Sequence, residues 1–184
     1  MPRKPREDFA GAIQHVYARG NNQRRIFLDD HDRRRYLRLL GHVVRAKRWR
    51  CLAYCLMDNH VHLLIETPEP NLGAGMQLLH GLYGWAHNKR HGTSGHVFQG
   101  RFGATRVTTD GQLLMTVAYI ARNPVDAGRC AEVHSWRWSS HATIGAGGAP
   151  AWLAIDRLRT YLAATGGDPS GAYASTKVNP ATVP

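Results

Sequence analysis

The chain has 184 residues, 43% of them hydrophobic, enough for one ordinary core and too few for two full domains. Lys and Arg number 24 against 13 Asp and Glu, and the net charge of +11 exceeds what solubility requires, so a polyanionic partner is expected. Nucleic acid fits better than a membrane surface, because the basic residues come with Trp, Tyr, Asn and Gly rather than with a long amphipathic helix.

No stretch approaches the roughly 18 apolar residues of a membrane span, and the opening Met1-Pro2-Arg3-Lys4-Pro5-Arg6 lacks a signal-peptide core. Cys51, Cys55 and Cys130 are an odd number in a chain that needs no disulfide framework. A soluble, cytoplasmic protein in a reducing compartment is the expectation.

Residues 1–9 read as a flexible start. Ile13 to Arg19 alternates apolar with polar residues as a half-buried strand does, and Gly20-Asn21-Asn22 breaks it. From His31 to Lys47, Tyr36, Leu37, Leu39, Leu40, Val43 and Val44 recur at helical spacing, and Arg33, Arg34, Arg35 and Arg38 form a basic outer side. Cys51–Met57 and His60–Glu66 are two apolar runs around Asp58-Asn59, hence a β-hairpin. A second helix from Leu72 to Lys89 turns Leu72, Met76, Leu79, Leu82 or Tyr83, and Ala86 inward. A flexible stretch from His87 to Gly100 leads to a fourth strand, Ala104–Thr108.

Strand, helix, strand, strand, helix, strand is the order of the ferredoxin-like (RRM-like) α+β fold, an antiparallel sheet with helices on one face and the other face free. A further helix from Asp110 ends at Arg122, because Pro124 pushes Asn123 out of the helical region. Trp136 and Trp138 seal the core, a short helix covers Trp152–Leu162, and residues 163–184, rich in Gly, Ala, Ser and Pro, read as disordered. The domain proper thus spans 10–142 and an extension 143–162.

His60 and His62 are alternate residues of a strand, so their imidazoles project from one face, where they suit either a wet strand face or a metal ion. On the helix from Asp110, Leu113, Val117 and Ile120 form an apolar stripe, while Gln112, Thr116, Tyr119 and Asn123 form a polar one. A tyrosine hydroxyl can attack a phosphodiester and hold the released phosphate covalently, given assistance for a phenol whose ordinary pKa is near 10. Asn123, one turn beyond Tyr119, can add an amide oxygen to the two histidines. A structural zinc site from Cys51, Cys55, His60 and His62 has poor spacing, and the two cysteines read better as small core residues.

Met57-Asp58-Asn59-His60-Val61-His62-Leu63-Leu64 and Tyr119-Ile120-Ala121-Arg122-Asn123-Pro124-Val125-Asp126-Ala127-Gly128 resemble the two signature segments of single-tyrosine HUH transposases, the IS200-like family. Arg19-Gly20-Asn21-Asn22 with Ile26-Phe27, then Gly95-His96-Val97-Phe98-Gln99-Gly100-Arg101-Phe102, and Trp136-Arg137-Trp138-Ser139-Ser140 resemble its REP-associated tyrosine transposase branch. The match runs through residues 10 to 142, departing at Asp58, where proline is common. The resemblance implies that His60, His62 and Asn123 hold a divalent ion, Mg or Mn. It makes Tyr119 the nucleophile on single-stranded DNA, leaving a 5′-phosphotyrosine and a free 3′-hydroxyl. It implies a bacterial, nucleoid-associated protein acting on hairpins such as repetitive extragenic palindromes, as a monomer or homodimer.

Two surfaces suit DNA: Arg19, Asn21, Asn22, Arg24 and Arg25, and the loop side chains Lys89, Arg90, His91, His96, Gln99 and Arg101, with Trp85 or Phe98 to stack bases. A nucleic-acid-binding module without catalysis, and a hydrolase using water in place of Tyr119, are the alternatives. Glu66 shares the strand face of His60 and His62 by parity, and the general base is unassigned.

Overall fold

Alternation of side chains along short β-rich runs gives four antiparallel strands, β1 (Ala12–Arg19), β2 (Arg50–Leu56), β3 (His60–Thr67) and β4 (Gly103–Val107), in the order β2-β3-β1-β4. The computed structural model describes residues 9–164. The flexible start and the disordered tail expected from sequence lie outside the described residues, apart from positions 9, 163 and 164.

Between the strands run α1 (Asp30–Ala46) and α2 (Leu72–His91), followed by α3 (Asp110–Asp126), α4 (Ser140–Gly145) and α5 (Ile155–Ala164). The α+β, ferredoxin-like architecture is as the sequence predicts. Tyr36, Leu40 and Val43 of α1 and Leu72, Met76, Leu79 and Tyr83 of α2 pack on Val16, Val61, Leu63 and Ile65, one face of the central strands. Tyr83 is the inward residue and Leu82 is exposed.

The other face is not left free along its length. Leu113, Val117 and Ile120 of α3, with Leu158 and Leu162 of α5, cover Leu52, Ala53, Cys55 and Leu64. A register shift between Cys51 and Ala53 turns both Leu52 and Ala53 to this side, so β2 feeds both cores. Cys51 and Cys55 are fully buried, as small core residues are. The outer edge of β2 is covered: Leu56 donates to the Trp138 carbonyl (3.0 Å), Ala154 to that of Cys51 (2.8 Å), and the Trp136 indole to that of Leu56 (3.1 Å). This removes an open row of strand hydrogen-bonding groups.

Three local expectations are corrected. The last helix starts at Ile155 rather than Trp152, and Trp152 instead packs on Tyr54. Arg33 is not on a solvated face: it is 5% exposed, pairs with Asp58 and Asp30, and lies over the rings of Phe27, Trp136 and Trp138. Finally, α3 continues through Asn123 and Pro124 to Asp126. Pro124 lies in the last turn, where its missing N–H forfeits one helical bond, and its ring is buried. Ala127 closes the end on the Asn123 carbonyl (3.1 Å) and Gly128, at φ +65°, on that of Val125 (2.9 Å).

Candidate active site

Register brings the site together. Tyr17 of β1 pairs with His62 of β3, and Arg19 with His60. Residues two apart on neighbouring antiparallel strands are diagonal neighbours on the same face, so His15 falls beside His62. Extension of α3 to Asp126 keeps Asn123 helical, one turn past Tyr119, over the same end of the sheet.

The Nε2 atom of His60 lies 3.1 Å from the Asn123 side-chain oxygen, and that of His62 lies 3.3 Å from its nitrogen. Each ring has its other nitrogen engaged: His60 Nδ1 with the Asn59 side-chain oxygen at 2.7 Å, and His62 Nδ1 with His15 Nε2 at 3.0 Å. In the tautomer where each Nδ1 carries the proton and donates to Asn59 or His15, His62 Nε2 accepts from the Asn123 amide nitrogen. The His60 Nε2 lone pair then faces the Asn123 oxygen, two acceptors that a cation rather than a hydrogen bond would join. This is the arrangement by which outer partners orient imidazole ligands.

Electrostatics keep these rings neutral. Burial, then the nearby rings of His15 and His60, holds His62 well below the ordinary histidine value. Burial also lowers His60, opposed by the Asn123 side chain beside it, and takes His15 down to about 4. The Tyr119 ring stands edge-on to His62, centroids 5.3 Å apart, and to His15 at 5.7 Å. Burial raises the Tyr119 phenol above its ordinary value, with a hydrogen bond to Asn123 opposing, so it is protonated at neutral pH.

His15 and Asn59 are the site residues that sequence reasoning missed. Asn59 reads as a turn residue, and His15 as one position of an alternating strand. Only the β1–β3 register reveals what His15 faces.

Glu66 does not join this group. It is 3% exposed and takes Arg50 at 2.6 Å and Arg157 through two bonds of 3.1 Å, at the far end of β3. Asp58 in the β2–β3 turn is paired with both Arg33 and Arg129. Arg129 follows α3 and its backbone N–H reaches the Pro124 carbonyl at 2.8 Å, so Asp58 ties the turn before His60 to the end of the helix bearing Tyr119 and Asn123.

The two basic surfaces are one. Gln99 donates to the Arg19 carbonyl (2.8 Å), Asn21 to that of Val97 (2.9 Å), and Gly20 to that of Asn59 (2.7 Å), joining residues 19–25, the 96–101 loop and the turn before His60. A Cβ at Gly20 would meet the Arg24 carbonyl oxygen at 2.0 Å, so the close turn needs glycine. Arg19, Asn21, Asn22, Arg24, Arg25, Lys89, His96, Gln99 and Arg101 are exposed. Arg90 is instead committed to Asp29 and Asp32. Trp85 is 62% exposed beside a groove of about 760 Å³ between α2 and the 95–102 loop, with Lys89 Nζ 5.0 Å from its ring centre, whereas Phe98 is 7% exposed and stacks on His80.

No helix among the described residues is long and apolar enough to cross a membrane. No curated protein matches the chain. Its structure is similar to a solved REP-associated tyrosine transposase bound to a REP hairpin, at 18% identity and TM-score 0.67, over 82% of this chain and 89% of that one. A putative transposase from Deinococcus radiodurans R1 is more distant, at 13% identity and TM-score 0.46, over 70% and 98% of the respective chains. The family model for IS200-like transposases matches residues 10–123, more than half of the sequence, and the chain therefore belongs to the IS200-like transposase family.

Proposed function

We propose that this chain is a DNA strand-nicking and strand-joining enzyme that acts on single-stranded or hairpin DNA through Tyr119, with His60, His62 and Asn123 holding a divalent ion such as Mg or Mn. One observation carries the reading. The two Nε2 atoms converge on the Asn123 amide, their Nδ1 atoms are both backed by acceptors, and Tyr119 stands one helical turn away. Two neutral imidazoles and an amide oxygen would leave the other positions of a six-coordinate ion to water and phosphate oxygens, the donors that Mg and Mn favour. When bound, the ion would polarise a phosphoryl oxygen and offset charge developing on it.

The chain's own residues do the rest. Tyr119 Oη attacks the scissile phosphorus, the bond to the 3′-oxygen breaks, and that oxygen leaves as a hydroxyl while the phenol proton passes to solvent. The strand stays attached as a 5′-phosphotyrosine, which conserves the bond for a later attack by a 3′-hydroxyl without ATP. Asn123 places Tyr119 and the histidines in register, and burial beside the sheet limits competing attack by water. The joined basic surface from Arg19 to Arg25 and His96 to Arg101 holds the backbone, and Trp85 offers a face for a base. A hairpin substrate agrees with the REP hairpin held by the structural neighbour.

Incubation with a hairpin oligonucleotide and Mg or Mn yields an adduct that survives denaturing electrophoresis. Tyr119→Phe abolishes the adduct while retaining DNA binding. Cleavage that persists in Tyr119→Phe would mean that water is the nucleophile, and binding without any cleavage in the unaltered protein would leave a nucleic-acid-binding module.

A further inference from the structure

On the opposite side of the sheet from His60 and His62, where α1 and α2 pack, a second group of ligating side chains has no part in the chemistry above. His87 and His91 lie four residues apart on α2, so their rings project one above the other, centroids 4.6 Å apart. Asp32, in the first turn of α1, faces them. Its carboxylate lies 3.0 and 3.1 Å from His91 Nε2, and one ligand atom from each of the three residues lies within 4.8 Å of the others.

His87 makes this more than an ordinary ion-pair network. It is 8% exposed, and neither ring nitrogen has a hydrogen bond of good geometry among the described residues, although the Asn88 side chain lies near enough to support its proton. A buried imidazole left without partners is destabilising unless something occupies its lone pair. The Tyr83 and His91 rings flank it without meeting that need.

We infer that Asp32, His87 and His91 form a second metal site, separate from Tyr119, for a zinc-class divalent ion. Two imidazoles and one carboxylate, with a water in the fourth position, are a tetrahedral zinc set, whereas Mg and Ca prefer oxygen donors. Ligand atoms about 2 Å from the ion stand about 3.3 Å apart, which small side-chain rotations from the present spacing achieve. The carboxylate is ionised: burial would raise its pKa, but the Leu28 amide, His91 and Arg90 outweigh this and lower it. Arg90 must swing off Asp32 for an ion to enter, and it keeps Asp29, with which it already makes bonds of 2.5 and 2.9 Å. The site would pin the start of α1 to the end of α2, from which the 92–102 loop leaves for the basic surface.

The test removes the other histidine pair first. His60→Ala/His62→Ala protein, titrated with Zn²⁺ by calorimetry and with Co²⁺ by absorption, takes up one equivalent and shows tetrahedral Co²⁺ bands. Adding His87→Gln weakens binding at least tenfold, and adding Arg90→Gln instead strengthens it several-fold by removing the competing cation. No uptake in the His60→Ala/His62→Ala protein, or affinity indifferent to both further changes, overturns the assignment. Because Arg90→Gln deletes no ligand, its effect is readable even where His87→Gln disturbs folding.

Discussion

Asp58 pairs with both Arg33 and Arg129, and its removal should loosen the join between the β2–β3 turn and α3. The Arg33 side chain is 6% exposed and that of Asp58 15%, whereas Arg129, the second partner, is 46% exposed. Breaking a buried ion pair from one side costs about 3–5 kcal/mol, since it strands the other charge. Arg33 would keep Asp30 at 3.6 Å, a half-exposed carboxylate, which brings the expected loss for Asp58→Asn to about 2–3 kcal/mol. The Arg129 arm adds no more than about 1 kcal/mol, as surface pairs do. At roughly 2–4 °C per kcal/mol for a domain of this size, the midpoint should fall by about 5–10 °C in thermal unfolding. Hydrogen exchange at residues 123–129 should rise with it, because Arg129 anchors that end of the helix. A double-mutant cycle with Arg33→Met should give a coupling of at least about 1 kcal/mol. A loss within about 0.5 kcal/mol, the range of ordinary surface substitutions, would show that Asp58 is not the tie described.

Gly75→Ala should cost about 1–3 kcal/mol, because its Cβ would meet the buried Trp49 ring at 2.0 Å, and Gly81→Ala, with nothing within 4 Å, should be neutral or stabilising; equal denaturation midpoints for the two would refute this. Burial raises the Glu66 pKa, but Arg157 and Arg50 more than offset it, so the folded value is depressed and its contribution is complete above the ordinary 4.5 and vanishes as pH falls through the lower value. In Glu66→Gln that acid-side loss of stability should shrink while DNA adduct formation is unchanged, and an adduct lost on this substitution would return Glu66 to the chemistry. Trp85→Ala should weaken binding to a single-stranded oligonucleotide by about 1–3 kcal/mol at unchanged stability, whereas Phe98→Ala should lose about 3–5 kcal/mol of stability, and fluorescence anisotropy with thermal unfolding separates the two. His15→Phe should weaken Mn²⁺ binding at His60 and His62 about 10–100-fold, with His15→Gln, which restores an acceptor, partway between; equal affinities by Mn²⁺ titration would remove His15 from the site.

What the sequence disclosed and what it hid divide along the range of the interactions. The strands, α1 and α2, the hairpin around Asp58-Asn59, and the polar stripe of Tyr119 and Asn123 are periodic features, and periodicity is local. Arg33 was legible in principle, for it lies three and seven positions before Tyr36 and Leu40 and so on their buried stripe. Its charge argued for solvent, and only a carboxylate brought in from the β2–β3 turn reverses that. Pro124 argued for a helix end at Arg122, since the rule for residues before proline is also local. Tertiary contacts override it: Pro124 is buried, and the ladder beyond it closes on Asn123, Pro124 and Val125. That extension is what holds Asn123 within reach of both imidazoles. His15 has no local signal at all, as any alternating strand puts some polar residue on each face. It acquires meaning only when β1 sits beside β3 with Tyr17 opposite His62, and at that register a residue that reads as filler becomes the acceptor that can fix the tautomer of a proposed metal ligand.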